Sequence, residues 1–529
     1  MRTFAWLMCG GLALGCGGRP SAWDTSFSPA DGKSGVSAAY GLTGSVAVVD
    51  RGLNRVSLLR SPSALELSAQ SFALGQGLAT AKLAFDRKTL FVLSRGVQPQ
   101  RNPGDEPPKV TLLDGDSTFK IKQTYTLNDP LDQLALDPEN EWAVVYGGSG
   151  LVVNENELVF IDLKKTGDDA VTFKTLRSFG QNPDRLTFTS ALSISGADTR
   201  RFLIVERDSD LALVDLTNPG GDEVTVPLPR ADNGGPGGSA QVVYGQGDDS
   251  VGSVIAVRIT GSTSVLLLQL GAPTSSDQSF SVVTNLVDVG GFPSTIDLVH
   301  TSQGLRLMAL VGTNAVLVDP RTAVSQVAQM PAPFNGIRRI TSALDPAAAA
   351  TDTDIALLYG TSTTQIAYFK LDVGTDAIDR LIDTSEIGVA VQSVIDVPGE
   401  AFHDRKILAT PSHDFYVLDL GKRQTSPMKT TNGLTLEVAP DGGRVWAYQP
   451  GTPGFATVAF ATLHPVSLVA ERNVSSVFDI QAANGARSAI ALHFGDGYQG
   501  GIGATVVDVA APSTATARFF SGFELGGIQ

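Results

Sequence analysis

The stretch QLALDPENEWAVVYGGSGLVVNENELVFIDL (133–163) reads as strand, Asp-Pro turn, strand, loop, strand, and the same grammar recurs along the chain about every 50 residues. A repeat architecture built from short strands is therefore the first expectation. Ten apolar runs mark the second strand of each unit: SVAVVD (45–50), TLFVLS (89–94), WAVVYG (142–147), RFLIVE (201–206), SVIAVR (253–258), RLMALV (306–311), DIALLY (354–359), KILATP (406–411), RVWAYQ (444–449) and SAIALH (488–493).

A third strand follows each one and often ends in aspartate, as at Asp114, Asp162, Asp215, Asp319, Asp419 and Asp508. Before most second strands stands a first strand with its turn, as in KLAFDRK, LALDPEN, ALSISGAD, TSALDPA and LEVAPDGG. More polar segments such as FKIKQTYTL (119–127) and EVTVPL (223–228) supply a fourth.

The second and third strands are apolar at nearly every position instead of alternating. A strand needs that pattern only when sheets cover both its faces. Four-stranded antiparallel sheets stacked around an axis create this situation and leave a half-exposed, more polar outer strand, so the expected fold is an all-β propeller of about ten four-stranded blades. Ten units fit one large ring or two smaller propellers, and the Gly-rich PRADNGGPGGS (229–239) after unit four is short enough to be a loop. The recurrent aspartates are expected to accept backbone N–H bonds in the turns they precede.

Apolar strand, Asp-Pro or Pro-Asp-Gly turn, apolar strand, polar loop and a closing Val-x-apolar-apolar-Asp together resemble the repeats of YVTN-type propellers. LALDPENEWAVVYG, LEVAPDGGRVWAYQ and SVAVVDRGLNRVSLLR (45–60) carry the likeness best, without the literal Tyr-Val-Thr-Asn signature. The resemblance implies a propeller over 34–529. It leaves function open, because that fold hosts lactonases, quinoprotein and haem enzymes as well as binding surfaces.

The amino terminus has the layout of a secretory signal: Arg2, an apolar run over 4–14, then Ala13-Leu14-Gly15-Cys16. The run is too short to span a bilayer. Its last four residues resemble the lipobox of bacterial lipoproteins. This implies a signal peptide over 1–15, a diacylglyceryl and palmitate-type N-acyl anchor on Cys16, and a Gly/Ser/Pro-rich tether over 16–33. Cys9 lies in the signal and would leave with it, so no disulfide is expected. The implied address is the bacterial cell envelope, with the outer membrane preferred.

A formal net charge of −15, with no cluster of Lys and Arg, excludes nucleic acid as an expected partner. The scattered histidines His300, His403, His413, His464 and His493 form no HExxH or CxxCH motif, so no metal and no cofactor is expected. His493, ending a second strand, is read as a satisfied interior histidine. Asp208, Asp210, Asp248 and Asp249 lack EF-hand spacing and are read as solvated loop acids. Trp142 and Trp446 are read as core packing.

No catalytic residue stands out. Local function is expected on three long loops, 95–109, 148–157 and 494–503, which emerge on one face of the ring and contribute Arg95, Arg101, Asn154, Asn156, Asp496 and Tyr498 to a candidate binding surface. The expected role is binding or scaffolding of another envelope protein or a surface glycan. The alternative is a YVTN-lactonase-like hydrolase, or another propeller enzyme, with its site at the channel mouth.

Overall fold

In the computed structural model the described residues are 36–521, apart from 64, 116–119, 149–153, 178–181, 196–197, 248–251, 274–278, 341–354, 371–381, 399–400, 403, 429–434, 482–484, 495–502 and 514–515. Ten four-stranded antiparallel sheets form the blades of a β-propeller. Blades 1 to 5 span 36–73, 78–126, 133–175, 185–227 and 239–288. Blades 6 to 10 span 295–329, 336–386, 393–428, 435–474 and 476–521.

All ten apolar runs are second strands, from Val46–Asp50 in blade 1 to Arg487–His493 in blade 10. Burial explains their composition. Val46–Asp50, Thr89–Ser94 and Phe202–Glu206 are buried at every position, whereas the outer strand Lys120–Thr126 is largely exposed. The outer strands predicted at 119–127 and 223–228 are Lys120–Thr126 and Val224–Pro227.

The core is a circle of separate apolar layers, each between two neighbouring blades. Val92 and Leu113 of blade 2 pack with Val49 and Leu58 of blade 1. The last layer joins the ends of the chain, setting Val46, Val48 and Leu59 of blade 1 against Phe478, Ile490 and Val506 of blade 10. One ring therefore closes, and the two-propeller arrangement is not adopted.

Among the described residues, every blade is built from strands of one continuous segment. No sheet mixes strands from the two chain ends, so closure rests on side chains and loops. Gln481 N–H donates to Thr43 O at 2.8 Å, and the hydroxyls of Ser61 and Ser488 are 3.0 Å apart.

Antiparallel order sends the connections to two faces. The turns between first and second and between third and fourth strands lie on one, here the turn face. The loops between second and third strands, and those leading to the next blade, lie on the other, the loop face. The chain enters blade 1 at Val36 beside Asp50 on the loop face, and Ser521 beside Gly503 ends the outer strand of blade 10 on the same face.

The turn aspartates behave as expected. Asp162, Asp215, Asp319 and Asp508 each accept the backbone N–H two residues on, at 2.9–3.0 Å, and Asp419 accepts that of Lys422 at 2.9 Å. Gly442 in the Pro-Asp-Gly turn has φ +68°, and an added Cβ there would collide with the Pro398 carbonyl. Asn140 (φ 56°) and Arg87 (φ 58°) hold the equivalent left-handed position in their own turns.

Two first strands differ from expectation. In blade 4 the first strand is Arg185–Phe188, and the ALSISGAD segment forms an inserted hairpin, Leu192–Ser195 with Asp198–Arg200. Leu192 and Ile194 of that hairpin pack in the layer between blades 4 and 5. In blade 7 the first strand is Gly336–Ile340, upstream of TSALDPA, whose residues 341–347 lie outside the described residues. Trp446 is fully buried, whereas Trp142 is half-buried at the start of its strand, edge-on to Phe160.

Candidate binding face

Polar residues on both faces act mainly as struts between blades. On the turn face, Arg201 of blade 4 forks onto Asp137 and reaches Glu141 (2.9 Å) in the Asp-Pro turn of blade 3. Arg487 of blade 10 likewise clasps Asp441 of blade 9, and binds Asp479 of its own blade at 2.8 Å. Arg87 of blade 2 donates to Gly41 O of blade 1 (3.0 Å) and to Glu437 of blade 9 (2.8 Å), bracing the site of closure. Burial pushes the Glu437 carboxyl up, and Arg87 opposes that shift. A sequence signal for the first two struts existed: a turn acid, followed one blade later by an Arg opening the second strand.

The loop face is knit in the same way. Arg95 pairs with Asp132 at 2.7 Å, and Asp132 also accepts Gly148 N–H at 2.7 Å, joining blades 2 and 3. Asn156 accepts Arg207 of blade 4 at 3.1 Å. Arg207 is 1 % exposed, lies 3.7 Å from Asp210, and has its pKa lowered by burial against the pull of Asp210 and Glu223. Asn154 donates to Thr175 at 3.0 Å.

Arg101 has an exposed side chain, while its N–H and that of Asn102 are held by Asp105 at 2.8 and 2.9 Å. The structure thus places Arg95, Arg101, Asn154 and Asn156 on one face. It turns Arg95 and Asn156 into inter-blade ties and leaves Arg101 outward. Asp496 and Tyr498 lie outside the described residues, as does Cys16.

The loop 229–239 is ordered by Asp232, which accepts Ser262 Oγ–H at 2.9 Å and Thr263 N–H at 2.8 Å. Of the loop acids, Asp208 is exposed, but Asp210 is buried beside Arg207 and is not solvated as expected. Asp248, Asp249 and His403 lie outside the described residues. Among the described residues no three His, Cys, Asp or Glu side chains gather to hold a metal ion. No helix among them is long and apolar enough to cross a membrane.

His493 is fully buried. Its Nδ1–H donates to Asn473 O at 2.9 Å, which leaves Nε2 to accept the Thr505 hydroxyl at 2.8 Å. Burial lowers its pKa. A histidine with a lowered folded pKa contributes stability that is present above the ordinary value near ~6.5 and lost progressively as pH falls from there through the lower, folded value. Urea midpoints are therefore expected to fall below about pH 6.5 more steeply in the wild type than in His493→Gln. Equal slopes would remove His493 from the account.

Reading the sequence did not find an open depression of about 570 Å³ on the loop face of blade 7. Thr361, Ser362, Thr363, Thr364 and Gln365, in the loop from second to third strand, form its polar wall. Pro331, Ala332 and Ala390, from the loops entering and leaving the blade, form its apolar part. Among the described residues no charged or aromatic side chain lines it. The signal in the sequence was the run of four consecutive hydroxyl residues.

Fold and face together define a ten-blade β-propeller whose pinned loop face bears a hydroxyl-walled depression. No protein-family model matches the chain, and no curated protein matches it. Among solved structures it is similar to the dihydro-heme d1 dehydrogenase NirN in complex with DHE, with 12 % identity and a TM-score of 0.40, over 68 % of this chain and 70 % of that one. It is also similar to BBS1N in complex with ARL6DN, with 11 % identity and a TM-score of 0.34, over 74 % of this chain and 96 % of that one.

Proposed function

We propose that this protein is an envelope lipoprotein whose YVTN-like propeller serves as a binding or scaffolding module for another envelope protein or a surface glycan. The observation that carries the reading is the pinned loop face. Ion pairs and amide bonds fix its loops before any partner arrives, which lowers the ordering cost of binding. A lipid on Cys16 would sit 20 residues before Val36, a reach of at most about 70 Å when extended. Because Val36 enters on the loop face, the tether would leave from that face and keep it within reach of a partner at the membrane.

The test is metabolic labelling with an alkyne-bearing palmitate, followed by fractionation. The wild-type chain is expected to take up label and sediment with membranes, and Cys16→Ser to do neither. Equal behaviour of the two would contradict the anchor.

A further inference from the structure

We propose that the depression on blade 7 is a carbohydrate site that takes a neutral, polyhydroxylated ligand, a short glycan segment. This rests on the binding-module reading and names its ligand class. A sugar ring offers hydroxyls around its edge and C–H groups on its faces, so it needs hydrogen-bonding groups on one side and small apolar surface on the other. The depression offers both, its lining joining the polar Thr361 to Gln365 to the small apolar Pro331, Ala332 and Ala390.

The hydroxyls are oriented by bonds they already make. Thr361 Oγ1 accepts Asn335 Nδ2–H at 3.1 Å, and Thr363 Oγ1 accepts Gln365 N–H at 3.1 Å. Each therefore keeps its own O–H free to rotate toward a ligand. Ser362, exposed between them, is free to donate and to accept.

Charge selects against an acidic ligand. The charged group held by this wall is Glu386, whose carboxylate receives Thr364, Gln365 and, at 3.0 Å, Gly388 N–H. Its negative charge at the margin, on a chain of net charge −15, disfavours uronic or phosphorylated sugars.

The experiment is saturation-transfer NMR and calorimetry on the full chain with maltotriose, cellotriose, N,N′,N″-triacetylchitotriose and, as the anionic probe, trigalacturonate. At least one neutral trisaccharide is expected to bind. Ser362→Trp, which fills the depression from an exposed loop position, is expected to abolish that signal with an unchanged melting curve. Thr361→Val removes one neutral donor and is expected to weaken binding by about threefold to tenfold.

The proposal is overturned if no neutral probe gives a signal at millimolar concentration, if trigalacturonate binds more tightly than they do, or if Ser362→Trp binds as the wild type does. Those outcomes leave the palmitate labelling unaffected, so failure of this site and failure of the anchored-module reading are told apart.

Discussion

Replacing Glu223 with alanine is expected to destabilise the protein by roughly 3–5 kcal/mol, because it strands a charged lysine inside the rim between blades 3 and 4. Lys174 and Glu223 lie 2.8 Å apart with side chains 5 % and 1 % exposed. Glu223 also accepts Arg177 N–H at 2.6 Å, so one carboxylate serves two donors from the neighbouring blade, while Lys174 additionally donates to Gly221 O.

Burial raises the Glu223 pKa, but the Arg177 N–H and Lys174 outweigh it and hold the carboxyl below its ordinary value. The sign follows: its contribution is present above the ordinary glutamate value near ~4.3 and is lost as pH falls through the lower, folded value. The double variant Lys174→Met/Glu223→Leu removes both charges and is expected to recover most of the loss. Urea unfolding of the three proteins decides the matter. A loss below about 1 kcal/mol in Glu223→Ala, the size typical of an exposed pair, would show that the rim is wet.

Much of the fold was legible because burial on both faces leaves a composition that chance seldom imitates. Strands such as Val46–Asp50 and Phe202–Glu206 have no solvent side, so their runs announce themselves. First strands are harder to read. Gly336–Ile340 carries the exposed side chains of Arg338 and Arg339, which break the apolar run, while the nearby TSALDPA imitates the grammar better. The ALSISGAD hairpin misleads for a similar reason. Its buried Leu192 and Ile194 alternate as a half-buried strand should, but they pack in a layer shared with the next blade.

The loop face was legible as a face and not as a site. Arg95 and Asn156 were conspicuous as polar residues on long loops, yet their partners Asp132 and Arg207 stand 37 and 51 residues away on neighbouring blades. Local sequence cannot separate a strut from a ligand-binding group, because both are polar residues on loops. The depression needs three separate loops brought together, and none of them is long. Only the assembled ring shows that Pro331, Thr363 and Ala390 border one space.

Among the described residues, the ring closes without a strand shared between the chain ends. Ser61 and Ser488 meet there as a buried pair, with their oxygens 3.0 Å apart and a sequence separation of 427. Ser61→Cys/Ser488→Cys, in a chain with Cys9→Ser and Cys16→Ser, is expected to form an intrachain disulfide under mild oxidation. The cross-link should stabilise the fold by about 2–4 kcal/mol, because it ties distant parts of the unfolded chain together.

The measurement that tests the closed ring most directly is peptide mapping of this oxidised protein by mass spectrometry, with its hydrodynamic radius measured in parallel. The ring predicts one linked peptide pair joining Ser61→Cys to Ser488→Cys within a monomer of unchanged radius. Two free thiols, or links only between chains, would show that blades 1 and 10 do not meet.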